Sequence, residues 1–443
     1  MPYRFESAGY RRGGASRGGR GGRAPRGSRN LPEIPERFVC VDALRGFDMF
    51  WIVGAAYLVS ALERWTGSGI LTALKGQLHH VEWEEFAFYD LIFPLFVFIT
   101  GVSAVFSIRK TIAREGRGVA ARRILKRGII LFAIGLFYSG GFHGTPYVPP
   151  DGGDATSREL LRHLFDNTRL LGVLNRIALA YLAAGFLFLI LPVRLLLVVF
   201  VGILFGYWSI MARVPIRDIE LSRERIAALG EETGETNAMK LYLATTNRVE
   251  GRFGPGYNVA NHIDFLYLPG HKLDGFYDPE GLLSTLPAIA TCLLGMLAGA
   301  MLQRVDFEPT TKSIFFLVSG IFLVAIGFVW GFSFPVVKKL WSSSFVCVAG
   351  GYSLILLAVF HQIIDVWNKE LWCQPFVWVG SNSLVIYLGA QLLNYRKVAE
   401  RFVGGPVSSH LGRFGDVVLG IAALFVLLAF ARFLHRRQLF LRL

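Results

Sequence analysis

Long apolar runs separated by short polar connections dominate the chain from about residue 43 to residue 434. Each run has roughly 18 or more residues with few charges, enough for a helix to cross the ~30 Å hydrocarbon core of a bilayer. A β-barrel would instead show shorter segments that alternate in polarity. The pattern predicts an all-α polytopic membrane protein of about ten transmembrane helices, at 43–61, 86–107, 128–145, 171–191, 194–212, 283–303, 312–332, 343–364, 375–395 and 415–434.

The longest connection, residues 213–282, is rich in Gly, Pro, Asn and Asp. These residue types are typical of turns, and binding residues often lie on such connections. We therefore expect a large ordered loop that caps a site, with a short helix in the stretch ELSRERIAALGEE.

The distribution of basic residues predicts the orientation in the membrane. Residues 1–37 hold nine arginines and three acidic residues, and residues 109–127 hold eight basic residues and one acid. The positive-inside rule places such clusters in the cytoplasm. Both termini are therefore expected there, with the loop between helices 1 and 2 and residues 213–282 outside. Short loops and no visible targeting segment favour a bacterial inner (plasma) membrane.

The formal net charge of +14 would suggest a nucleic-acid partner in a soluble protein. Here residues 1–37 form an Arg/Gly-rich tail with little to bury, predicted to be disordered and cytoplasmic. We favour attachment to an anionic lipid bilayer, or no specific role, over RNA binding for this tail. Residues 38–443 would form the transmembrane domain. The four cysteines have no metal-ligand spacing, so no metal site is predicted.

Asp42 and Arg45 stand three residues apart at the cytoplasmic end of the first predicted helix. They share a helix face, so they can pair and anchor the start of the helix. Equally, the Arg45 guanidinium suits a phosphate of an anionic cofactor that enters from the cytoplasm. The residues alone leave both interpretations open.

Two adjacent histidines, His79 and His80, precede Trp83 and Asp90 at the mouth of the second predicted helix. Histidine can take and return a proton near neutral pH, and Asp90 could orient the imidazole. Ionisable groups at a membrane edge are by default functional hypotheses. Trp83 is also typical of an interfacial aromatic anchor. We predict that one histidine is catalytic.

Further polar residues lie near the ends of the later predicted helices. They can form helix–helix hydrogen bonds or line a polar cavity that leads to the histidines. They are Asn175, Arg176, Asn258, His262, Asp264, Asp278, Glu280, Asn382 and Ser383.

Six motifs occur in one order along the chain: D-x-x-R-G, H-x-x-W, D-L-I-F-P-x-F-x-F-I-x-G, G-V-L-x-R-I-A-L-x-Y, D-P-E-G-L-L-S-T-x-P-A-I-A-T and G-x-N-S-x-x-x-Y. Together they resemble the heparan-α-glucosaminide N-acetyltransferase family, in its bacterial branch within the wider transmembrane acyltransferases. The resemblance runs from about Val39 to the end of the tenth predicted helix.

The resemblance implies transfer of an acetyl group from cytoplasmic acetyl-CoA, a co-substrate, to an amino-sugar acceptor at the opposite face. The H-x-x-W spacing to Trp83 selects His80 as the catalytic histidine, oriented by Asp90. Arg45, Asn382 and Ser383 would bind the cofactor, the last two also as donors to the developing oxyanion. The acceptor is assigned to Asp42, Trp83, Arg176, Asn258 and Asp264.

Two positions depart from the family pattern. Glu85 stands where the family usually has Gly, and Ala56 corresponds to an Asn in the enzyme that acts on heparan. The acceptor can therefore differ from glucosamine, and an inactive member is also compatible with these changes.

Several alternatives stay open. His80 can be a general base or a transient acetyl carrier, and a homodimer is compatible with the sequence. The main rival function is a proton-coupled transporter of amino sugars or similar small solutes, in which His80 and Asp90 would couple proton movement. A structural or regulatory protein tethered through its basic tail is a third.

Overall fold

The computed structural model describes residues 38–139, 156–405 and 410–439, and these residues are mainly helical. The predicted tail, residues 1–37, lies outside the described residues. The helices are α1 Val39–Phe50, α2 Ala56–Thr66, α3 Gly69–Gln77, α4 Phe88–Glu115, α5 Arg117–Ser139, α6 Ser157–Asn167, α7 Val173–Ile190, α8 Val193–Arg213, α9 Arg223–Thr233, α10 Ala238–Ala244, α11 Val259–Tyr267, α12 Thr285–Leu302, α13 Pro309–Gly331, α14 Ser343–Phe360, α15 Gln374–Gly380, α16 Ser383–Leu392, α17 Tyr395–Val403 and α18 Arg413–Arg436. A π-helical turn, Trp51–Ala55, joins α1 to α2, and a second, His361–Val366, extends α14.

Within the described ranges, seven helices are long and apolar enough to cross a membrane: α4, α7, α8, α12, α13, α14 with its π-helical turn, and α18. The prediction of an all-α membrane protein is therefore confirmed, whereas the count of ten is not. Three predicted segments differ from uniform apolar helices. Residues 43–61 contain the π-helical turn, and residues 375–395 are divided between α15 and α16. Helix α5 begins in a basic stretch, and the predicted segment beyond Ser139 is not described.

Helices α4 and α12 pack with their backbones close together. A Cβ atom at Gly101 would overlap the carbonyl oxygen of Cys292, and one at Gly295 would overlap that of Phe98. Small residues at a helix interface allow this approach and stabilise it through van der Waals contact. The consequence is a firmly held α4, whose two ends both carry polar groups described below.

Residues 213–282 contain a small ordered framework. Strands β1, Ile216–Arg217, and β2, Arg248–Val249, pair antiparallel with Ile216 opposite Val249. The helices α9, α10 and α11 follow or lie between them, and α9 confirms the short helix expected in this segment.

The loop between α3 and α4, residues 78–87, is held by contacts at two points. Glu84 forms an isolated antiparallel backbone bridge with Val337, in the connection between α13 and α14. The Trp83 indole Nε1–H donates to the carbonyl oxygen of Phe253 over 2.8 Å, and this carbonyl belongs to the 213–282 segment. The loop that carries His80 is thus fixed by two segments distant in the chain.

Glu85 has a backbone φ of 96°. A side chain with a Cβ is strained in this region, whereas glycine enters it freely. We expect Glu85→Gly to raise the free energy of unfolding by about 1 kcal/mol, because glycine relieves the backbone strain at this position. The side chain that is removed is exposed. Thermal unfolding in detergent measures this difference. Glu84→Gly, at a neighbouring position without a positive φ, is the control and is expected to destabilise. Equal destabilisation by both variants would contradict the strain argument.

Candidate active site

The carboxylate of Asp90 is the buried centre of the His80 region. Its Oδ2 accepts backbone N–H groups from Ala87 at 3.2 Å and Val81 at 3.4 Å. Its Oδ1 lies 2.8 Å from Nδ1 of His80, and the side chain has no solvent exposure. Asp90 stands in the first turn of α4, where the positive end of the helix dipole favours a carboxylate. Several donors and the dipole therefore hold it in one orientation.

The contact with Asp90 defines how the His80 ring is used. When Nδ1–H donates to the carboxylate, Nε2 keeps the lone pair that can accept a proton. The His80 side chain is 52% exposed, so a substrate can reach this nitrogen. His79 lies differently, with its Nδ1 2.7 Å from the carbonyl oxygen of Lys75. The structure thus brings His80, and not His79, to Asp90.

Lys338 is a third member of this group that the sequence did not predict. Its Nζ lies 2.8 Å from Nδ1 and 3.3 Å from Nε2 of His80, and 3.2 Å from Oδ1 of Asp90. The Glu84–Val337 bridge places it there. Burial lowers the pKa of Lys338 below its usual value, while the charge of Asp90 opposes this change. The sequence feature that could have indicated this lysine is the Lys338–Lys339 pair, which follows the 312–332 apolar run at a membrane edge.

An ion-pair network connects the segment that follows α6 with the segment that precedes α12. Arg169 Nε donates to Asp278 Oδ2 over 2.8 Å, and its Nη2 donates to Asp278 Oδ1 over 2.6 Å and also pairs with Glu280. The negative charge of Glu280 also acts on Lys338. The ion-pair network is therefore close enough to the His80 group for its charge to influence Lys338.

Arg176 is buried beside this network. Its Nη2 donates to the carbonyl oxygen of Pro279 over 2.8 Å and to Ser284. Its guanidinium carbon lies 4.9 Å from the ring centre of Trp341, three residues after Lys338. These contacts hold together the segments on which Glu280 and Lys338 lie. A role of Arg176 in substrate binding stays a prediction.

Asn258 immediately precedes α11, and Asp264 lies within this helix. Asn258 caps this helix by accepting the backbone N–H of Asn261 over 2.9 Å, and its amide donates to Gly254. Asp264 is buried and accepts the backbone N–H of Leu282 over 2.8 Å. Burial raises the pKa of Asp264 to about 7. Both side chains have clear structural partners, and their assignment to the acceptor stays a prediction.

A large basic cavity lies along the other half of α4, with a volume of about 890 Å³. Its walls come mainly from α4, α5, α7 and the start of α16, and Arg45 of α1 lies among them. The cationic side chains that line it are Arg45, Lys110, Arg114, Arg123, Lys126 and Arg127, with Glu115 as the acidic one. This charge pattern suits a ligand that carries several phosphates.

Three predicted cofactor residues, Arg45, Asn382 and Ser383, line this same cavity. Neither the side-chain oxygen nor the side-chain nitrogen of Asn382 has a hydrogen-bond partner among the described residues, although the side chain is buried. Buried amides normally have partners, so an unpaired one beside a cavity indicates a position for a polar ligand group. Asp42 instead pairs with Arg45 at 3.7 Å, as its spacing predicted.

His80 does not line this cavity. The lining residue of α4 nearest to Asp90 in the chain is Phe96, six residues along, which corresponds to about 9 Å of helix. The His80–Asp90 pair and the basic cavity therefore lie at different levels along α4.

Comparison with known proteins yields two relatives with the same description. The chain is 27% identical over 456 residues to the heparan-alpha-glucosaminide N-acetyltransferase of Homo sapiens, across 93% of this chain and 60% of that protein. It is 26% identical over 453 residues to the Mus musculus protein of that name, across 91% and 60%. No family model matches the chain.

Similarity over more than nine tenths of the chain supports membership in the heparan-alpha-glucosaminide N-acetyltransferase family. The resemblance seen in the six motifs is thereby confirmed. The chain spans about 60% of the length of the curated relatives that it matches.

The titration of Asp264 gives a testable pH dependence for the stability of this protein. The pKa of Asp264 rises from 3.8 to about 7 on burial, so the folded state holds its proton more tightly than the unfolded state. The stability that this group contributes is therefore full below about pH 4 and is lost as the pH rises to about 7. In Asp264→Asn, the thermal midpoint should vary less across this interval than in the wild type. Asp274→Asn is the control, and equal pH profiles for wild type and Asp264→Asn would refute the assignment.

Proposed function

We propose that this chain is a membrane-embedded acetyltransferase that moves the acetyl group of acetyl-CoA to the amine of an amino sugar. The observation that carries the proposal is the half-exposed His80 imidazole, hydrogen-bonded at 2.8 Å to the buried carboxylate of Asp90. The similarity to two proteins named as N-acetyltransferases supports the reaction class.

His80 and Asp90 fit the proton transfer that the reaction needs. An amine loses a proton as it attacks a thioester, and a positioned histidine can accept it. Asp90 keeps Nδ1 protonated and stabilises the imidazolium that forms when Nε2 takes the proton. The same pair also suits a route in which Nε2 first carries the acetyl group.

The residues of the basic cavity fit acetyl-CoA. Arginine and lysine side chains would hold the phosphates, and the unpaired amide of Asn382 would meet polar groups of the extended arm. Ser103, which accepts a hydrogen bond from Arg45, lies thirteen residues after Asp90, about 20 Å along α4. A long, flexible donor is suited to this separation, because its phosphates and its thioester must lie at different levels.

The charges favour one direction of transfer. The basic clusters would face the cytoplasm under the positive-inside rule, so acetyl-CoA would enter from that side. His80 would then meet the acceptor at the opposite face, with both termini cytoplasmic. Ten crossings satisfy this orientation if α1 with α2, α5, and α15 with α16 each span the membrane.

His80→Ala should reduce acetyl-CoA consumption with glucosamine by roughly 100-fold or more, because loss of a general base or a nucleophile removes at least this much. The protein is purified in detergent, and free thiol is measured. His79→Ala is the matched control and should retain nearly full turnover. If acetyl-CoA does not bind, while proteoliposomes move glucosamine down a proton gradient, the protein is a transporter instead.

Arg127→Gln should weaken CoA binding roughly tenfold, as expected for the loss of one charged hydrogen bond to phosphate. Arg127 lines the cavity, whereas Arg122 on the same helix does not. Arg122→Gln should therefore leave the dissociation constant within about twofold. Isothermal titration at two salt concentrations checks both values, and equal effects of the two variants would argue against this cavity as the CoA site.

A further inference from the structure

The mechanism above assigns no role to Lys338, although its charged side chain contacts the His80 ring. Its Nζ lies 2.8 Å from Nδ1 and 3.3 Å from Nε2 of His80, and Nε2 is the nitrogen that would face the acceptor amine. When an amine nitrogen held at Nε2 attacks the carbonyl carbon, the carbonyl oxygen comes to lie two bonds from that nitrogen. A carbonyl oxygen at this place therefore comes within reach of the ammonium group.

The surrounding structure holds this lysine in position. Ser342 Oγ accepts the backbone N–H of Val337 at 3.1 Å, and the backbone N–H of Trp341 donates to the carbonyl oxygen of Lys338 at 2.9 Å. The Glu84–Val337 bridge fixes the same loop to the His80 loop. A donor held in place before the reaction can stabilise developing charge without reorganisation.

We propose that Lys338 is a further catalytic residue, whose ammonium stabilises the oxyanion formed when the acceptor amine attacks the thioester. This rests on the proposed acetyltransferase function. It assigns to Lys338 the oxyanion contact expected from Asn382 and Ser383, which line the cavity that His80 does not reach.

Direct transfer forms one bond and breaks another at the carbonyl carbon. The amine nitrogen forms a bond to the carbonyl carbon, and the carbonyl π electrons move onto oxygen, which accepts a hydrogen bond from Lys338. His80 takes one proton from the attacking nitrogen. As the C=O bond re-forms, the C–S bond breaks, and the thiolate receives the proton from His80. Lys338 keeps its protons throughout.

The charged groups around Lys338 determine its titration. His80 and Asp90 face it from the α3–α4 loop and from α4, Glu280 acts on it from the segment before α12, and Lys339 is its neighbour. Burial is the largest influence and lowers the lysine pKa, so deprotonation occurs at a lower pH than for a free lysine. Turnover should therefore decline on the alkaline side as the oxyanion donor loses its charge.

The test compares Lys338→Met with Lys339→Met, which removes the same charge one residue later. Lys339 pairs with Asp274 at 2.9 Å, so its loss should leave turnover close to that of the wild type. Lys338→Met should lower kcat about 100-fold, in the range for loss of one oxyanion donor, with an unchanged CoA dissociation constant. The alkaline decline should disappear in Lys338→Met and move to higher pH in Lys338→Arg. Wild-type kcat in Lys338→Met, or an unchanged alkaline decline in Lys338→Arg, overturns the proposal.

A second readout needs neither activity nor a folded variant. Reductive methylation of the wild-type protein is mapped by mass spectrometry with and without acetyl-CoA. Acetyl-CoA should slow labelling of Lys338 but not of Lys339, and equal labelling rates for Lys338 in both conditions overturn the proposal.

Different results would refute the acetyltransferase function and the role of Lys338. If wild type and His80→Ala are equally inactive, the proposed function fails, whereas a wild type that depends on His80 but not on Lys338 refutes only this inference.

Discussion

A buried carboxylate needs several partners, and at Asp90 this requirement organises one end of the protein. Its side chain has no solvent exposure. An unpaired charge in such a place would be strongly destabilising. Two backbone N–H groups, His80 and Lys338 supply the compensation, and they come from the α3–α4 loop and the α13–α14 connection. The need to satisfy one carboxylate thus also aligns an imidazole and an ammonium.

The packing of α4 against α12 places this carboxylate. The glycines at their contact bring the two backbones close, so α4 has little freedom to shift along or rotate against its neighbour. The first turn of α4 carries Asp90, and residues of the same helix from Phe96 to Glu115 line the basic cavity. A single rigid helix therefore sets the separation between the His80–Asp90 pair and the positively charged cavity.

The contacts of segment 213–282 mainly hold the loops around His80 in place. Trp83 binds the Phe253 carbonyl, and Asn258 caps α11. Arg169 holds Asp278 and Glu280 together in the stretch that leads into α12. Much of the buried polarity of this region is thereby used in fixing loops next to His80. Polar residues of this segment that could bind a substrate, such as Asn258 and Asp278, are therefore engaged in structural hydrogen bonds and ion pairs.

The contact between His80 and Asp90 was expected from the sequence, because both residues flank the start of one helix and the family resemblance selected His80. The basic cluster at 109–127 predicted the orientation in the membrane, and the structure adds that several of its side chains line one cavity. The association of Arg45 with Asn382 and Ser383 was assigned through the family resemblance, and the cavity brings these residues together. Lys338 was missed, because no periodicity or motif connects it with a histidine 258 residues earlier.

The amino-acid sequence by itself determined the all-α membrane class and the resemblance to the N-acetyltransferases, since hydropathy and ordered motifs are properties of the chain read in one dimension. It did not determine how many apolar segments form uninterrupted helices, because a π-helical turn and a break at Ser381–Asn382 depend on packing. Only the tertiary structure decided which lysine joins His80 and Asp90. Those contacts arise from backbone pairing and helix packing between segments far apart in the chain, and such pairing leaves no local pattern in the sequence.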